Sequence, residues 1–351
     1  MKFWVECVFI GLMASFSYGE NAVMDSLLFS GRWDHTPDYS RTSAPAAMVQ
    51  FDAAANSITF DLEGEAHFRF DIDGSPITHF TIQGRQTKKI VVADDGLIHH
   101  YRLIKTSETN PGEVRLYHVS TDKKGYFLPK PQPSNRRIEF IGDSFTVGYG
   151  VEGKNTEDGT PFEKTNAAKS FGFLVADAYK ADFQINAFSG RGLVRNYGNI
   201  VPNWTIPNLY KLTVPGLAEQ ESRGPYWNLK NFDPQVIVLF VGINDFQGEP
   251  PYADAEEFKL AYASFLGLLR EAHPGVKFLL LATKVWPNDD LIAAVEDVYK
   301  SQVEGGYRDL EFQVVYTDNT ALHGHPNEMS QKELANTLKP IIGRLGRWLS
   351  R

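Results

Sequence analysis

The chain predicts an antiparallel β-sandwich followed by an α/β unit whose parallel sheet carries helices on both sides. Three observations carry this reading. Residues 27–127 alternate apolar and polar in period two between closely spaced turn signals, as short half-buried strands do. The stretch Leu128-Pro129-Lys130-Pro131-Gln132-Pro133 then interrupts the rhythm; alternate prolines favour a stiff extended connector and cannot continue a central strand. Beyond it, short apolar strands alternate with helical spacing, which implies parallel strands joined by crossover helices. At 351 residues the chain also exceeds one ordinary hydrophobic core, so two units fit it.

From the N-terminus, residues 1–19 read as a secretory leader: Lys2 supplies the positive start, Phe3 to Met13 the apolar run, and Ala14 to Gly19 the small-residue exit. The run is too short to span a bilayer, so export after cleavage is expected, with no membrane anchor. The only cysteine, Cys7, lies inside this run. A mature chain starting near Glu20 has no thiol, which excludes disulfides, cysteine nucleophiles and cysteine–metal sites.

Residues 20–128 form the expected sandwich. Ile58, Phe60 and Leu62 share one face of a short segment, Phe68, Phe70 and Ile72 repeat the pattern, and Phe80 with Ile82 and Tyr101 with Leu103 continue it. Glu63-Gly64, Asp73-Gly74-Ser75-Pro76, Asp95-Gly96 and Asn110-Pro111-Gly112 read as turns between them. Residues 129–135 are the linker, and 136–351 the second unit.

In that unit Arg137 to Gly142 reads as a strand ending in a glycine turn, Ser170 to Tyr179 as a helix, and Gln184 to Phe188 as a second strand. Pro234 to Val241 is apolar almost throughout, as a strand buried on both faces is. Helical spacing runs from Ala255 to His273, stopping before Pro274-Gly275; Lys277 to Thr283 is another strand, Leu291 to Ser301 a helix, Phe312 to Tyr316 the last strand and Ser330 to Leu349 the closing helix. In such sheets, sites gather outside the carboxyl ends of the strands.

Composition narrows the function. Hydrophobic residues at 42% and charged residues at 22% suit a globular protein. A formal net charge of -8 offers no footprint for nucleic acid or an anionic membrane.

Four strand ends carry chemistry. Gly142-Asp143-Ser144 is a serine on a tight turn entering a helix, the geometry of a nucleophile turn and equally of a plain helix cap. Phe188-Ser189-Gly190-Arg191-Gly192 lets backbone approach a ligand closely, or is simply a flexible turn. Val241-Gly242-Ile243-Asn244-Asp245 places an amide where an oxyanion-hole donor belongs, and is otherwise an ordinary loop start. Leu322-His323-Gly324-His325-Pro326 offers a general base, a metal ligand or a solvated loop; two histidines with no cysteine nearby make a poor zinc site, so no metal is expected.

In this order the four blocks resemble the SGNH, or GDSL-like, hydrolases across residues 136–351, with Phe145 in place of the usual leucine. Gly142-Asp143-Ser144-Phe145-Thr146-Val147-Gly148-Tyr149-Gly150, Ser189-Gly190-Arg191-Gly192-Leu193-Val194-Arg195-Asn196 and Gly242-Ile243-Asn244-Asp245-Phe246 are similar to carbohydrate esterase family 2. That resemblance implies a jelly-roll-like sandwich joined to a three-layer α/β/α SGNH domain. It implies removal of O-acetyl groups from acetylated xylan or glucomannan, with activity on small acetate esters and no cofactor. Ser144 is then the nucleophile and His325 the general base, and the Ser144 N–H, the Gly190 N–H and the Asn244 amide form the oxyanion hole.

One departure stands out. SGNH enzymes usually carry an aspartate two or three residues before the catalytic histidine, where this chain has His323 and Leu322. Family 2 includes members that work with a Ser–His dyad, and a backbone carbonyl can fix the imidazole tautomer. A dyad is therefore the expectation, with Asp318 as the alternative third member. Trp286, just past another strand end, is a candidate for stacking on a sugar ring. Two rival readings keep part of this picture: a lipid esterase or thioesterase of the same superfamily, and a carbohydrate-binding protein without catalysis.

Overall fold

The computed structural model describes residues 24–92, 95–109, 112–218, 225–287 and 289–349; the leader expected at residues 1–19 lies outside them. The antiparallel half contains β1 (Leu28–Ser30), β2 (Asp34–His35), β3 (Ser40–Thr42), β4 (Met48–Ala54), β5 (Ser57–Ile72), β6 (Ser75–Gln83), β7 (Gln86–Val91), β8 (His99–Lys105), β9 (Val114–Thr121) and β10 (Tyr126–Phe127). Their order is β1-β4-β8-β5-β9-β3-β2, with β10 on β4 and both β6 and β7 on β5.

β5 corrects the sequence reading. The two segments expected on either side of Glu63-Gly64 are one strand of 16 residues. Its first part pairs with β7 and β9, and its second with β6 and β8, so one strand serves both faces of the sandwich. The reason is phase. Ile58, Phe60, Leu62, Ala66, Phe68 and Phe70 are all buried even-numbered positions, so inward alternation never breaks as it would at a reversal. Gly64 bends the strand instead: its φ is +129°, and a Cβ there would stand 2.5 Å from the Glu113 carbonyl oxygen, where no other residue fits. Inside, Phe51 and Phe70 stack on Tyr101 with ring centroids 5.3 and 5.7 Å apart.

The parallel half has β11 (Arg137–Gly142), β12 (Asp182–Ala187), β13 (Val236–Phe240), β14 (Lys277–Ala282) and β15 (Leu310–Val314) in the order β12-β11-β13-β14-β15. Every pair is parallel, and the order reverses at β11, where a ligand crevice is expected. The helices are α1 (Ser144–Val147), α2 (Pro161–Lys164), α3 (Phe171–Tyr179), α4 (Ile206–Leu209), α5 (Ile243–Phe246), α6 (Ala255–Ala272), α7 (Leu291–Glu304) and α8 (Glu328–Leu345). α3 packs on α8 and α6 on α7, which cover the two faces of the sheet. Several boundaries shift from the sequence reading. α7 runs three residues further than Ser301, and β15 begins two residues before Phe312. α8 starts at Glu328, because the Asn327 side chain accepts the Ser330 N–H at 2.8 Å, and stops before Gly346 rather than at Leu349.

The halves are joined by a buried charge. Arg32, only 1% exposed, reaches from the antiparallel half onto one face of the parallel sheet. It donates to Gln184 Oε1 at 3.1 Å, to Glu139 Oε1 at 3.3 Å and to the carbonyls of Tyr210 and Leu212. Glu139 also accepts from the Tyr210 hydroxyl at 2.9 Å and from the Asn186 amide. A buried charge is tolerable only when paired and fully hydrogen-bonded in this way.

Candidate active site

At the end of β11 the chain turns sharply into α1. Asp143 caps this short helix by accepting the Phe145 N–H at 3.1 Å, and Ser144 is its first residue. Full burial, reinforced by the nearby Asp245, pushes the Asp143 carboxyl up to about 8, against the pull of the Phe145 N–H. Asp143 therefore anchors the turn with its carboxyl shifted toward the protonated form.

The loop between β15 and α8 brings His325 to the same place. Its Nε2 lies 2.9 Å from Ser144 Oγ and its Nδ1 lies 3.0 Å from the Leu322 carbonyl oxygen. A carbonyl only accepts, so Nδ1 carries the proton and Nε2 presents its lone pair to the serine hydroxyl. The Leu322 carbonyl also accepts the His325 backbone N–H at 3.2 Å, which fixes ring and chain to one oxygen. The imidazole is flanked by the Tyr149 ring at 4.4 Å and the Phe145 ring at 5.5 Å. Burial lowers its pKa to about 4, opposed by the Leu322 carbonyl and aided by His323. The imidazole is therefore neutral at neutral pH, the state a general base needs.

The position three before His325 has no acid because its side chain has other work. Leu322 is fully buried against Gly150 and Gly153, so only its carbonyl can face the imidazole. His323, at φ +54°, turns away to meet the Tyr149 hydroxyl, 2.9 Å from its Nδ1. Asp318 is engaged within its own loop: its carboxylate accepts from the Asn327 amide at 3.2 Å and its carbonyl from the Asn327 N–H at 3.3 Å.

Two more strand ends complete the cleft. After β12, Gly190 has φ +74° and nothing within 4 Å of where a Cβ would sit. The backbone there demands glycine while the space above it stays open. After β13, Asn244 donates to the Arg191 carbonyl at 2.9 Å and to Asp143 Oδ2 at 3.3 Å. These two loops are tied together by Asp245, whose carboxylate accepts the N–H groups of Leu193, Val194 and Arg195 at 2.9, 2.9 and 3.0 Å. Burial raises Asp245 to about 6, with those three N–H groups holding it down. Arg195 answers from the other side, donating to the carbonyls of Asn244, Gln247 and Glu249.

Ser144, Gly190, Asn244 and His325 thus line one cleft of about 390 Å³, together with Tyr149, Tyr197, Gln247 and His323 among others. Trp286 is not in that lining. It stands 78% exposed on a loop whose next residue, Pro287, bridges to Gln247 at the cleft edge. Sequence reasoning did not single out Asp245 or Arg195. The signal was their place within the quoted blocks, but their partners are distant in the chain. Among the described residues no cluster of histidine, cysteine and carboxylate side chains suits a metal ion. A serine hydroxyl, a neutral imidazole and amide groups at adjoining strand ends form an arrangement suited to acyl transfer.

The chain is similar to known proteins along most of its length. Residues 140–335 match the GDSL-like Lipase/Acylhydrolase family, and residues 29–131 match the carbohydrate esterase 2 N-terminal family. An acetylxylan esterase / glucomannan deacetylase of Cellvibrio japonicus is 34% identical over 84% of this chain and 83% of its own length. The cellulase/esterase CelE of Acetivibrio thermocellus is 31% identical over 74% of this chain, which spans only 31% of that longer protein. A solved family two carbohydrate esterase from Clostridium thermocellum, in complex with cellohexaose, superposes with a TM-score of 0.84 at 27% identity, covering 92% of this chain and all of that one.

Proposed function

Since the chain belongs to the family 2 carbohydrate esterases of the GDSL-like superfamily, we propose that it is a serine esterase removing O-acetyl groups from plant cell-wall polysaccharides, xylan and glucomannan. The observation that carries this reading is the 2.9 Å contact between Ser144 Oγ and His325 Nε2 in an open cleft.

Ser144 attacks the acetyl carbonyl carbon while His325 Nε2 takes the hydroxyl proton. The Ser144 and Gly190 N–H groups receive the oxyanion, joined by the Asn244 amide as it gives up its 3.3 Å contact with Asp143. Collapse of the tetrahedral intermediate breaks the bond to the sugar oxygen, which leaves with the proton from Nε2. Water, deprotonated by the same nitrogen, then attacks the acetyl-enzyme, releasing acetate and restoring Ser144. The Leu322 carbonyl holds the Nδ1 proton throughout, so the catalytic group is a Ser–His dyad with no side-chain acid and no cofactor.

The substrate assignment is supported by the relative named acetylxylan esterase / glucomannan deacetylase and by the polar and aromatic cleft lining, which suits sugar better than a long acyl chain. Small acetate esters fit the same reading, since the reaction needs only the acetyl group. Such substrates lie outside the cell, in keeping with the leader read at residues 1–19, and no described helix is long and apolar enough to cross a membrane. The test is acetate release from acetylated xylan and acetylated glucomannan by wild type and Ser144→Ala. Wild-type release that disappears in the variant supports the reading; release that survives the loss of the hydroxyl overturns it.

A further inference from the structure

The antiparallel half reaches into the catalytic cleft at one point. Between β8 and β9, Glu108 aims its carboxylate at the loop that carries Gly190. The Ser189 hydroxyl donates to Glu108 Oε2 at 2.8 Å, and the Ser189 backbone N–H donates to Oε1 at 3.3 Å. Next to it, the Thr109 hydroxyl donates to the Ala187 carbonyl at 2.8 Å, at the very end of β12. The segment holding Glu108 is itself rigid: the buried Lys105 ammonium donates to the carbonyls of Ser43, Ser107 and Glu108.

We propose that Glu108 is a positioning residue for the oxyanion hole, clamping Ser189 so that the Gly190 N–H is presented to the developing negative charge. The inference rests on the serine-esterase reading above and adds to it a residue from outside the GDSL-like half. Its logic is one of donors. Both hydrogen-bond donors of Ser189 are consumed by Glu108, so Ser189 cannot turn into the cleft and offer its own N–H or hydroxyl in the wrong place. On the other side of Gly190, its carbonyl is fixed by the Tyr197 N–H at 2.9 Å. The glycine, which has the backbone freedom to swing, is thereby pinned on both flanks, one of them from the other half of the molecule. A fixed donor is what makes an oxyanion hole effective, because a dipole that must reorient during the reaction loses its advantage.

The experiment measures kcat and KM for 4-nitrophenyl acetate, together with inhibition by phenylboronic acid, whose serine adduct mimics the tetrahedral intermediate. The variants are Glu108→Ala, Ser189→Ala and Glu108→Gln, each with its melting temperature, beside Ser144→Ala. Removing a donor outright costs about a hundredfold to a thousandfold in kcat; loosening one costs less, so Glu108→Ala is expected to lower kcat about ten- to a hundredfold with little change in KM. The boronate constant weakens by a similar factor. Glu108→Gln, whose amide oxygen still accepts the Ser189 hydroxyl, recovers most of the loss. Ser189→Ala falls between, and carries the test should Glu108→Ala not fold. Wild-type kcat in either alanine variant overturns the clamp, and so does a loss confined to KM or one that leaves boronate binding unchanged. Activity surviving in Ser144→Ala instead overturns the nucleophile assignment, which separates the two failures.

Discussion

His325, the proposed base, has a backbone carbonyl and no carboxylate at its Nδ1, and that fixes how the rate of the proposed reaction depends on pH. His325 lies between Tyr149 and Phe145, and burial lowers its pKa from 6.5 to about 4. A difference of that size corresponds to about 3 kcal/mol against the imidazolium form. An aspartate at Nδ1 would act the other way: an opposite charge in contact raises a histidine by roughly 1–3 pH units. The sign follows. As a general base His325 would work only when neutral, so activity is expected to be full above its pKa and to fall as pH drops through it. The acid limb of kcat/KM, which reports the free enzyme, is expected near pH 4 for 4-nitrophenyl acetate measured across the acid and neutral range. Asp318→Asn is expected to leave that midpoint in place, because the Asp318 carboxylate bonds to Asn327 while Leu322 holds the imidazole. A wild-type midpoint at 6.5 or above would refute the desolvated dyad. A midpoint that falls in Asp318→Asn would show that the carboxylate reaches His325 after all.

Three further outcomes follow from the same contacts. Asn244→Ala removes a proposed oxyanion donor and should lower kcat about a hundredfold to a thousandfold with KM nearly constant in steady-state assays. Arg32→Met strands Glu139 in the interior with its partner gone; urea denaturation should show a loss of about 3–5 kcal/mol, part of which returns when Glu139→Gln is added. Trp286→Ala removes an exposed ring beside the cleft, and KM for acetylated xylan should rise about three- to tenfold, the worth of one aromatic contact, and by more than KM for 4-nitrophenyl acetate.

Legibility followed the range of the interactions. Strands such as Val236–Phe240 and Lys277–Ala282 show in the sequence because burial on both faces leaves uninterrupted apolar runs. The four residues of the cleft show because each follows directly on a strand of the parallel sheet or stands in the loop after its last one. β5 was misread as two strands because Glu-Gly is a turn signal only when the alternation breaks, and here the phase continues through Gly64. The orientation of His325 is half legible. The missing aspartate is visible in the sequence, whereas the Leu322 carbonyl that takes its place is a backbone atom that no side chain announces. Arg32 and Glu108 were invisible for another reason: their partners, Glu139 and Ser189, lie 107 and 81 residues away, and nothing local distinguishes a buried arginine or glutamate from one in solvent.

Arg32 also decides what happens when the backbone is cut. Cleavage within the largely exposed stretch 128–136 would leave a guanidinium of one fragment enclosed by the other. Expressed singly, each fragment would expose a naked charge and the apolar surface around it. A gene segment encoding only residues 136–351 is for that reason a poor unit of exchange: recombination that moved it to a new neighbour would carry Glu139 along without the cation that pairs with it.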